Sequence, residues 1–251
     1  MIKKSNLIYK YDGSFEGLMC CVFESYYRKE IPMDIVSSAQ FQTTFFPVKE
    51  IVTDFEKSTR VISSIPEKIG KSALELLKSA FLTCMSRKEM YMLMFLRRGY
   101  HYGPSVMNML GDDVVNKVLK AVRYLKNESH LLKGFLRFSI FNNVLVSQIE
   151  PQNCVLPLIA GHFCQRYAEE HFLIHDRTHD MALVYRPHKY SFIPMASLQM
   201  AEPDGDEKYF RKLWGMFYNT IEIKNRRNLK CRSSNMPKHY WKYMTEFQKF
   251  K

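Results

Sequence analysis

The spacing of hydrophobic residues at the start of the chain changes from that of a strand to that of a helix. Residues 7–11 alternate as a short strand does. Asp12-Gly13-Ser14 predicts a turn, and Ser14 is predicted to cap a helix because apolar residues follow at three- and four-residue spacing. A second strand is predicted at about 43–52. Asp54 is then predicted to cap another short helix.

The middle of the chain has helical spacing over residues 66–126. Pro66 suits the first turn of a helix, where a missing N–H costs nothing. Ser86 and Glu89 match a capping box, in which two side chains satisfy exposed backbone N–H groups. Asp112-Asp113 is predicted to open a third helix. This part of the sequence therefore predicts several packed helices.

Past Gly134 the pattern becomes strand-like, with aromatic and β-branched residues and a predicted hairpin turn at Asn142-Asn143. A helix is predicted at 157–168, and the following strands are predicted at 172–175, 181–185 and 190–193. The whole pattern predicts an α+β fold. An antiparallel sheet over about 135–195, plus the N-terminal strand, is expected to pack with helices, including a helical region at about 55–126. We expect one domain over 1–251.

The C-terminal segment, at about 207–251, is predicted to form a basic helix-loop-helix. One helix carries an apolar stripe that helical amphipathicity assigns to the core, and Trp241 and Met244 are assigned to the core in the same way. The stripe consists of Phe210, Leu213, Trp214, Phe217 and Ile221. Cations on the opposite faces and in the loop at 224–232 remain free to meet a partner.

The net charge of +12 supports an anionic partner because it is unevenly placed. Residues 201–251 hold 12 Lys or Arg and 6 Asp or Glu, so half of the excess lies there. Cations concentrated in one segment are typical of proteins that bind nucleic-acid phosphates, although a solvated basic face is the alternative. The residues predicted to bind phosphates are Arg226, Arg227, Lys230, Arg232 and Lys238.

The 6 cysteines show no metal or iron–sulfur spacing, and the 15 methionines fit a reducing cytoplasm. No apolar run is long enough to span a membrane, and no secretory leader follows the basic start. We therefore expect a cytoplasmic protein that does not bind a membrane and carries no cofactor.

Two groups of residues could carry acid–base chemistry. Asp12 and Glu16 flank the strand-to-helix turn, where they could serve as acid and base or simply shape the turn. His162 and Asp176 lie in a histidine-rich region, and Asp176 could equally pair within its own turn. The spacing of the nearby histidines would suit zinc on a helix, but a strand is predicted there, so no metal site is predicted.

Several short strings together resemble a family of domains of unknown function assigned to DNA metabolism or DNA repair. Its members are typically encoded beside a radical S-adenosylmethionine enzyme that modifies DNA, and some are fused to a uracil-DNA glycosylase-like domain. The resemblance is carried by strings that span most of the chain in order. They are residues 11–17, Thr53-Asp54, Arg60-Val61, 134–138, 155–163, Arg166, 174–176, Leu213-Trp214, Arg227-Asn228, Met236-Pro237, Tyr240-Trp241 and Glu246.

The resemblance implies a DNA-related role and the radical enzyme as a partner, but no established catalytic residues. It also brings forward Arg137 and Arg166 as candidates for a DNA-binding site. The sequence lacks the three-cysteine motif of a radical enzyme, which fits a partner of that enzyme.

We expect a DNA-binding accessory protein. One alternative is a hydrolase acting on nucleic acid, with Asp12, Glu16, His162 and Asp176 as catalytic candidates. The other alternative is a protein–protein scaffold that does not contact DNA.

Overall fold

The computed structural model describes residues 3–198, 205–223 and 228–247. The chain divides into two compact units, Met1–Leu125 and Lys126–Lys251. The α+β class is confirmed. No helix in the described ranges has both the length and the apolar character needed to cross a membrane.

The first unit contains a three-stranded parallel sheet with the N-terminal strand at its centre. Its strands are β1 (Lys3–Lys4), β2 (Ile8–Tyr11), β3 (Glu30–Ile31), β4 (Asp34–Ser37) and β5 (Val48–Glu50). β2 pairs in parallel with β4 and β5, with Ile8 opposite both Asp34 and Val48. β1 and β3 form a separate parallel pair. The N-terminal strand was predicted to join the larger sheet, and that detail is wrong.

Helices pack around this sheet, and most of their predicted caps are confirmed. The helices are α1 (Phe15–Tyr27), α2 (Phe55–Lys68), α3 (Lys71–Phe81), α4 (Lys88–Tyr102) and α5 (Asp113–Phe135), with a 3-10 helix at Gly103–Asn108 between the last two. Ser14 accepts from the Gly17 N–H at 2.9 Å, and Asp54 accepts from the Lys57 N–H at 3.1 Å. The Asp112 carboxylate accepts two N–H groups at the start of α5.

Two predictions for the helical region are wrong. Pro66 lies inside α2 and does not open a new helix. The capping box at Ser86 and Glu89 does not form, because Arg87 is the cap residue of α4 and adopts the left-handed region with φ 54°. Glu89 instead is buried and accepts a hydrogen bond from the Tyr11 hydroxyl at 3.2 Å. Glu89 therefore makes a long-range contact with Tyr11 and not the local capping bond that the sequence pattern predicted.

The second unit contains a five-stranded sheet in the order β10-β9-β8-β7-β6. Its strands are β6 (Ser139–Phe141), β7 (Val144–Ile149), β8 (Phe172–Asp176), β9 (Met181–Arg186) and β10 (Lys189–Pro194). Asn142 and Asn143, at φ 48° and 62°, form the predicted tight turn between β6 and β7. β7 and β8 pair in parallel because helix α6 (Leu156–Arg166) crosses over between them. The sheet is therefore mixed, where a wholly antiparallel one was predicted.

The C-terminal part of the second unit is helical. It contains α7 (Gly205–Thr220), α8 (Leu229–Asn235) and 3-10 helices at Lys238–Tyr243 and Thr245–Phe247. Pro237 precedes the first 3-10 helix, where a full helix was predicted. Tyr240 and Met244 are buried, which anchors this segment to the unit.

The close approach of α1 to the turn before it can be tested at Gly17. A Cβ there would lie 2.2 Å from the Asp12 carboxylate and 2.8 Å from the Thr53 hydroxyl. We expect Gly17→Ala to lower the free energy of unfolding by about 1–3 kcal/mol, because the added methyl group overpacks the site. Urea unfolding followed by circular dichroism measures this change.

Gly161→Ala in α6 is the matched control, because nothing lies within 4 Å of its Cβ position. Alanine is the better helix former, so this control should be neutral or stabilising by up to about 1 kcal/mol. Equal effects of the two substitutions would contradict the close approach at Gly17.

Candidate nucleic-acid interface

The apolar stripe of α7 is exposed, so its assignment to the core is wrong. Phe210 is 60% exposed, and Phe217 and Ile221 are 52% and 58% exposed. Leu213 and Trp214 are about 40% exposed. Amphipathic spacing shows which residues share one face of a helix, but it does not show whether another element covers that face.

The predicted burial of Met244 is confirmed, since its exposure is 0%. Trp241 is half-buried and donates from its indole N–H to the Met236 carbonyl at 2.9 Å. The final aromatic residues therefore fix the C-terminal segment in place, whereas those on α7 face outward.

The ion pair between Arg137 and Glu246 ties three segments of the second unit together. The Arg137 guanidinium donates to both carboxylate oxygens of Glu246, at 2.7 and 3.2 Å. It also donates to the Gly134 carbonyl at 2.9 Å. Trp214 donates its indole N–H to the same carboxylate at 3.2 Å. The Glu246 side chain is only 1% exposed, so α7 and the C-terminal segment meet at a buried charge.

Burial alone would raise the pKa of Glu246. Hydrogen bonds and the positive charge of Arg137 outweigh burial and hold this pKa below its ordinary value. The carboxylate is therefore ionised at neutral pH, which keeps Arg137 neutralised.

A pocket of about 650 Å³ lies beside this ion pair, within the size range of small-ligand sites. Its walls come from the end of α5, the first strands of the sheet, α6 and α7. Its aromatic lining residues are Phe138, Phe163, Tyr167, Phe210 and Trp214, and its charged lining residues are Lys133, Arg137, Arg166, Glu207 and Arg211. The pocket thus combines flat aromatic surfaces with positive charge.

The cations of the pocket differ in whether a carboxylate neutralises them. Arg137 pairs with Glu246, and Arg211 pairs with Glu207 at 2.7 Å. Lys133 and Arg166 make no ion pair within the described ranges, and Arg166 lies 5.9 Å from the Tyr167 ring. These two side chains are therefore the available positive charge of the pocket.

His162 lies close to the same two cations. Burial, and then the positive charges of Lys133 and Arg166, lower the pKa of His162. The imidazole is thus neutral at pH 7.

The structure describes only part of the predicted basic loop. Arg226 and Arg227 lie outside the described residues. Lys230 on α8 and Lys238 at the start of a 3-10 helix are exposed. Their role in binding phosphates stays a prediction.

Arg232 is held within the protein by its neighbours. It donates to the Tyr218 hydroxyl at 2.6 Å and lies 3.8 Å from Glu222. The rings of Tyr218, Trp241 and Phe247 surround its guanidinium at 4.7–5.5 Å. In this position Arg232 stabilises the C-terminal helices.

Asp12 and Glu16 lie in the first unit. One oxygen of Asp12 accepts from the Ser14 N–H at 2.9 Å and hydroxyl at 2.7 Å, and the other accepts from Thr53 at 2.8 Å. Burial alone would raise the pKa of Asp12, but these hydrogen bonds lower it. Glu16 is exposed on the first turn of α1. Asp12 thus shapes the turn, as the simpler interpretation of the sequence held.

Asp176 lies in the second unit, fully buried, at the end of β8. It accepts from the Thr178 and His179 N–H groups at 3.0 and 3.2 Å and bonds to the His179 ring at 2.7 Å. Asp176 is therefore the internally paired turn residue that the sequence suggested as an alternative. Within the described ranges, no three His, Cys, Asp or Glu residues are grouped closely enough to hold a metal ion.

Sequence reasoning missed Lys133 and the roles of Trp214 and Glu246. Lys133 had no signal of its own, since a cation in the last turn of a helix is common. Glu246 and Trp214 did occur among the family-like strings, but their meeting at Arg137 joins positions far apart in the chain.

Removing the charge of Glu246 tests the ion pair. We expect Glu246→Gln to lower the free energy of unfolding by roughly 2–4 kcal/mol at pH 7, because Arg137 loses its buried partner. The pKa of Glu246 is lower in the folded state than in the unfolded state. The ionised carboxylate therefore stabilises the fold fully above the unfolded-state pKa of about 4.3, and this stabilisation is lost as the pH falls through the folded-state pKa.

The difference between wild type and variant should therefore shrink in acid. Urea unfolding at pH 7 and at about pH 3 measures it, with exposed Glu169→Gln as the control. A penalty that stays constant with pH would contradict the assignment.

Comparison with known proteins matches the chain to a family of unknown function, and this agrees with that part of the resemblance. Residues 86–246, well over half of the chain, match DUF4130, a domain of unknown function. No curated protein and no solved structure matches the chain. The match includes every described residue that lines the pocket. The chain belongs to the DUF4130 family.

Proposed function

We propose that this protein binds DNA and acts as an accessory partner of a radical S-adenosylmethionine enzyme that modifies DNA. The pocket of the second unit carries the DNA-binding part of the proposal, because Lys133 and Arg166 offer positive charge beside aromatic walls. The resemblance to a DNA-metabolism family supports the same role and supplies the radical enzyme as partner.

The chemistry of the pocket suits nucleic acid better than a simple anion. Ammonium and guanidinium groups attract phosphates, and aromatic rings stack on bases of any sequence. Trp214 and Phe210 expose 40% and 60% of their surface, which leaves them accessible to such stacking. Lys230 and Lys238 in the same unit add positive charge and are included as phosphate contacts in the proposal.

The hydrolase alternative gains no support from the geometry. The carboxylate oxygens of Asp12 already take part in hydrogen bonds with Ser14 and Thr53, and those of Asp176 with Thr178 and His179. A general base needs a lone pair directed at its substrate.

The double variant Lys133→Ala/Arg166→Ala tests the DNA-binding proposal. We expect weaker binding to DNA of every sequence and a shallower dependence of affinity on salt, by roughly one to two in the logarithmic slope. Fluorescence anisotropy over a series of salt concentrations measures both quantities.

The matched control is Arg186→Ala/Lys189→Ala, which removes the same charges from exposed positions on β9 and β10. Its affinity should change much less than that of the pocket variant. Equal losses of affinity in the two variants would mean that binding depends only on the overall positive charge of the protein, which would contradict the proposal.

The exposed stripe of α7 favours a second role, in which the protein contacts a partner protein. Leu213, Phe217 and Ile221 expose large apolar side chains on one helix face, and such patches commonly mark interaction sites. The partner that the resemblance implies is the radical enzyme, and α7 would supply the contact surface.

Leu213→Glu/Phe217→Glu tests this contact. Burying a charge in an apolar interface is costly, so complex formation with the neighbouring radical enzyme should fall at least tenfold. Size-exclusion chromatography of the mixed proteins measures it. Tyr190→Glu/Ile193→Glu on exposed β10 is the control, and unchanged complex formation in the α7 variant would refute the role of α7.

A further inference from the structure

A second aromatic surface lies in the first unit, on helices α1, α2 and α4. It contains four tyrosines, and we call it the tyrosine cleft. Its tyrosines are Tyr26, Tyr27, Tyr100 and Tyr102, and its Lys and Arg residues are Arg60, Lys68, Arg97 and Arg98. Tyr27 is 69% exposed and Tyr102 is 50% exposed, so both rings are accessible to a ligand, whereas Tyr9 and Tyr11 of the same unit are buried.

The cleft consists of two hollows that share the pair Tyr26 and Tyr100. These two rings meet edge to face, with centroids 5.5 Å apart. The hollow containing Tyr27 has a volume of about 650 Å³, and the hollow containing Tyr102 has a volume of about 570 Å³. A ligand that follows the cleft would therefore meet one accessible ring on each side of a fixed central pair.

The charges of the cleft are positive. The Lys68 ammonium lies 5.8 Å from the Tyr100 ring, and the Arg97 guanidinium lies 4.7 Å from the Tyr26 ring. Arg60 and Lys68 are exposed, and neither makes an ion pair with a described carboxylate. The sole acidic residue among the described lining residues is Asp112, which Arg98 neutralises at 2.7 Å.

Arg97 adds positive charge at the floor of the cleft. Its guanidinium donates to the Ser25 hydroxyl at 2.7 Å and to the Glu30 carbonyl at 2.9 Å, and these acceptors carry no net charge. Its Nε is buried without a hydrogen-bond partner among the described residues. Burial also raises the pKa of Tyr26 to about 12, so its phenol is neutral at pH 7 and does not repel an anion.

We propose that the tyrosine cleft binds single-stranded nucleic acid, with bases stacked on Tyr27 and Tyr102 and phosphates beside Arg60 and Lys68. Neutral rings flanked by unpaired cations suit a ligand that alternates flat bases with negative charges. A duplex keeps its bases stacked on each other, so its bases cannot reach the rings. This site shares no lining residue with the pocket of the second unit and does not depend on the function proposed there.

Stacking is tested by Tyr27→Ala and Tyr102→Ala, two exposed positions where truncation leaves the core intact. Each should weaken binding of a labelled oligomer of about a dozen thymidines by roughly tenfold. Fluorescence anisotropy measures the affinity. Binding of an abasic oligomer of the same length should not change between wild type and variants, since it has no bases to stack.

Phosphate contacts are tested by Arg60→Ala/Lys68→Ala. Loss of two phosphate contacts to a single strand should lower the logarithmic salt slope by about 1.4. The control Lys71→Ala/Lys78→Ala removes two exposed cations from α3 and should leave the slope nearly unchanged. Tyr190→Ala, at an exposed tyrosine of the second unit, is the control for the stacking variants.

Photo-crosslinking locates the strand independently of affinity. An oligomer carrying bromouracil should crosslink to peptides containing Tyr27 or Tyr102, and it should still do so when Lys133 and Arg166 are both alanine. Crosslinks confined to the second unit, or tyrosine variants with wild-type affinity, would overturn the proposal. Equal losses on the intact and abasic oligomers would also overturn it, because stacking would then contribute nothing. Unchanged DNA affinity in the Lys133→Ala/Arg166→Ala variant would contradict the function proposed for the pocket and would leave the proposal for the cleft intact.

Discussion

The buried carboxylate of Glu246 is the constraint on which the C-terminal half of the second unit depends. An ionised carboxyl that is 1% exposed is stable only when its lone pairs are satisfied. Arg137 and Trp214 satisfy them, and they come from the segment after α5 and from α7. These three parts of the chain must therefore come together as a set. The pocket beside them exists because Glu246 fixes the positions of two of its lining residues.

This pairing also changes how the charge of the protein is understood. A net charge of +12 suggests a broad basic surface. Several cations of the second unit are, however, neutralised by carboxylates or enclosed by aromatic rings. Arg137 and Arg211 pair with glutamates, and Arg232 lies among three aromatic rings beside Glu222. The cations left for a ligand are those without such partners, chiefly Lys133 and Arg166 in one unit. Counting charges along the sequence does not separate these two groups, because it does not show which cation meets a carboxylate, as when Arg137 meets Glu246, 109 positions away.

The sequence predicted well whatever depends on near neighbours. The caps at Ser14 and Asp54 and the turn at Asn142-Asn143 need only residues within a few positions, and all three formed. It failed where a distant partner decides the outcome. Glu89 bonds to Tyr11, 78 positions away, and so does not cap α4. The parallel pairing of β7 and β8 and the exposure of the α7 stripe likewise depend on which elements meet, which spacing alone does not encode.

The family match covers all of the pocket but only part of the tyrosine cleft. The described residues that line the pocket all lie within the matched range 86–246, so the family match covers the pocket. The tyrosine cleft takes Tyr100 and Tyr102 from that range but Tyr26, Tyr27 and Lys68 from before it. A protein that had only the matched segment would possess the pocket and half of the cleft. The physical argument for the cleft therefore rests on its own rings and cations and not on the family match.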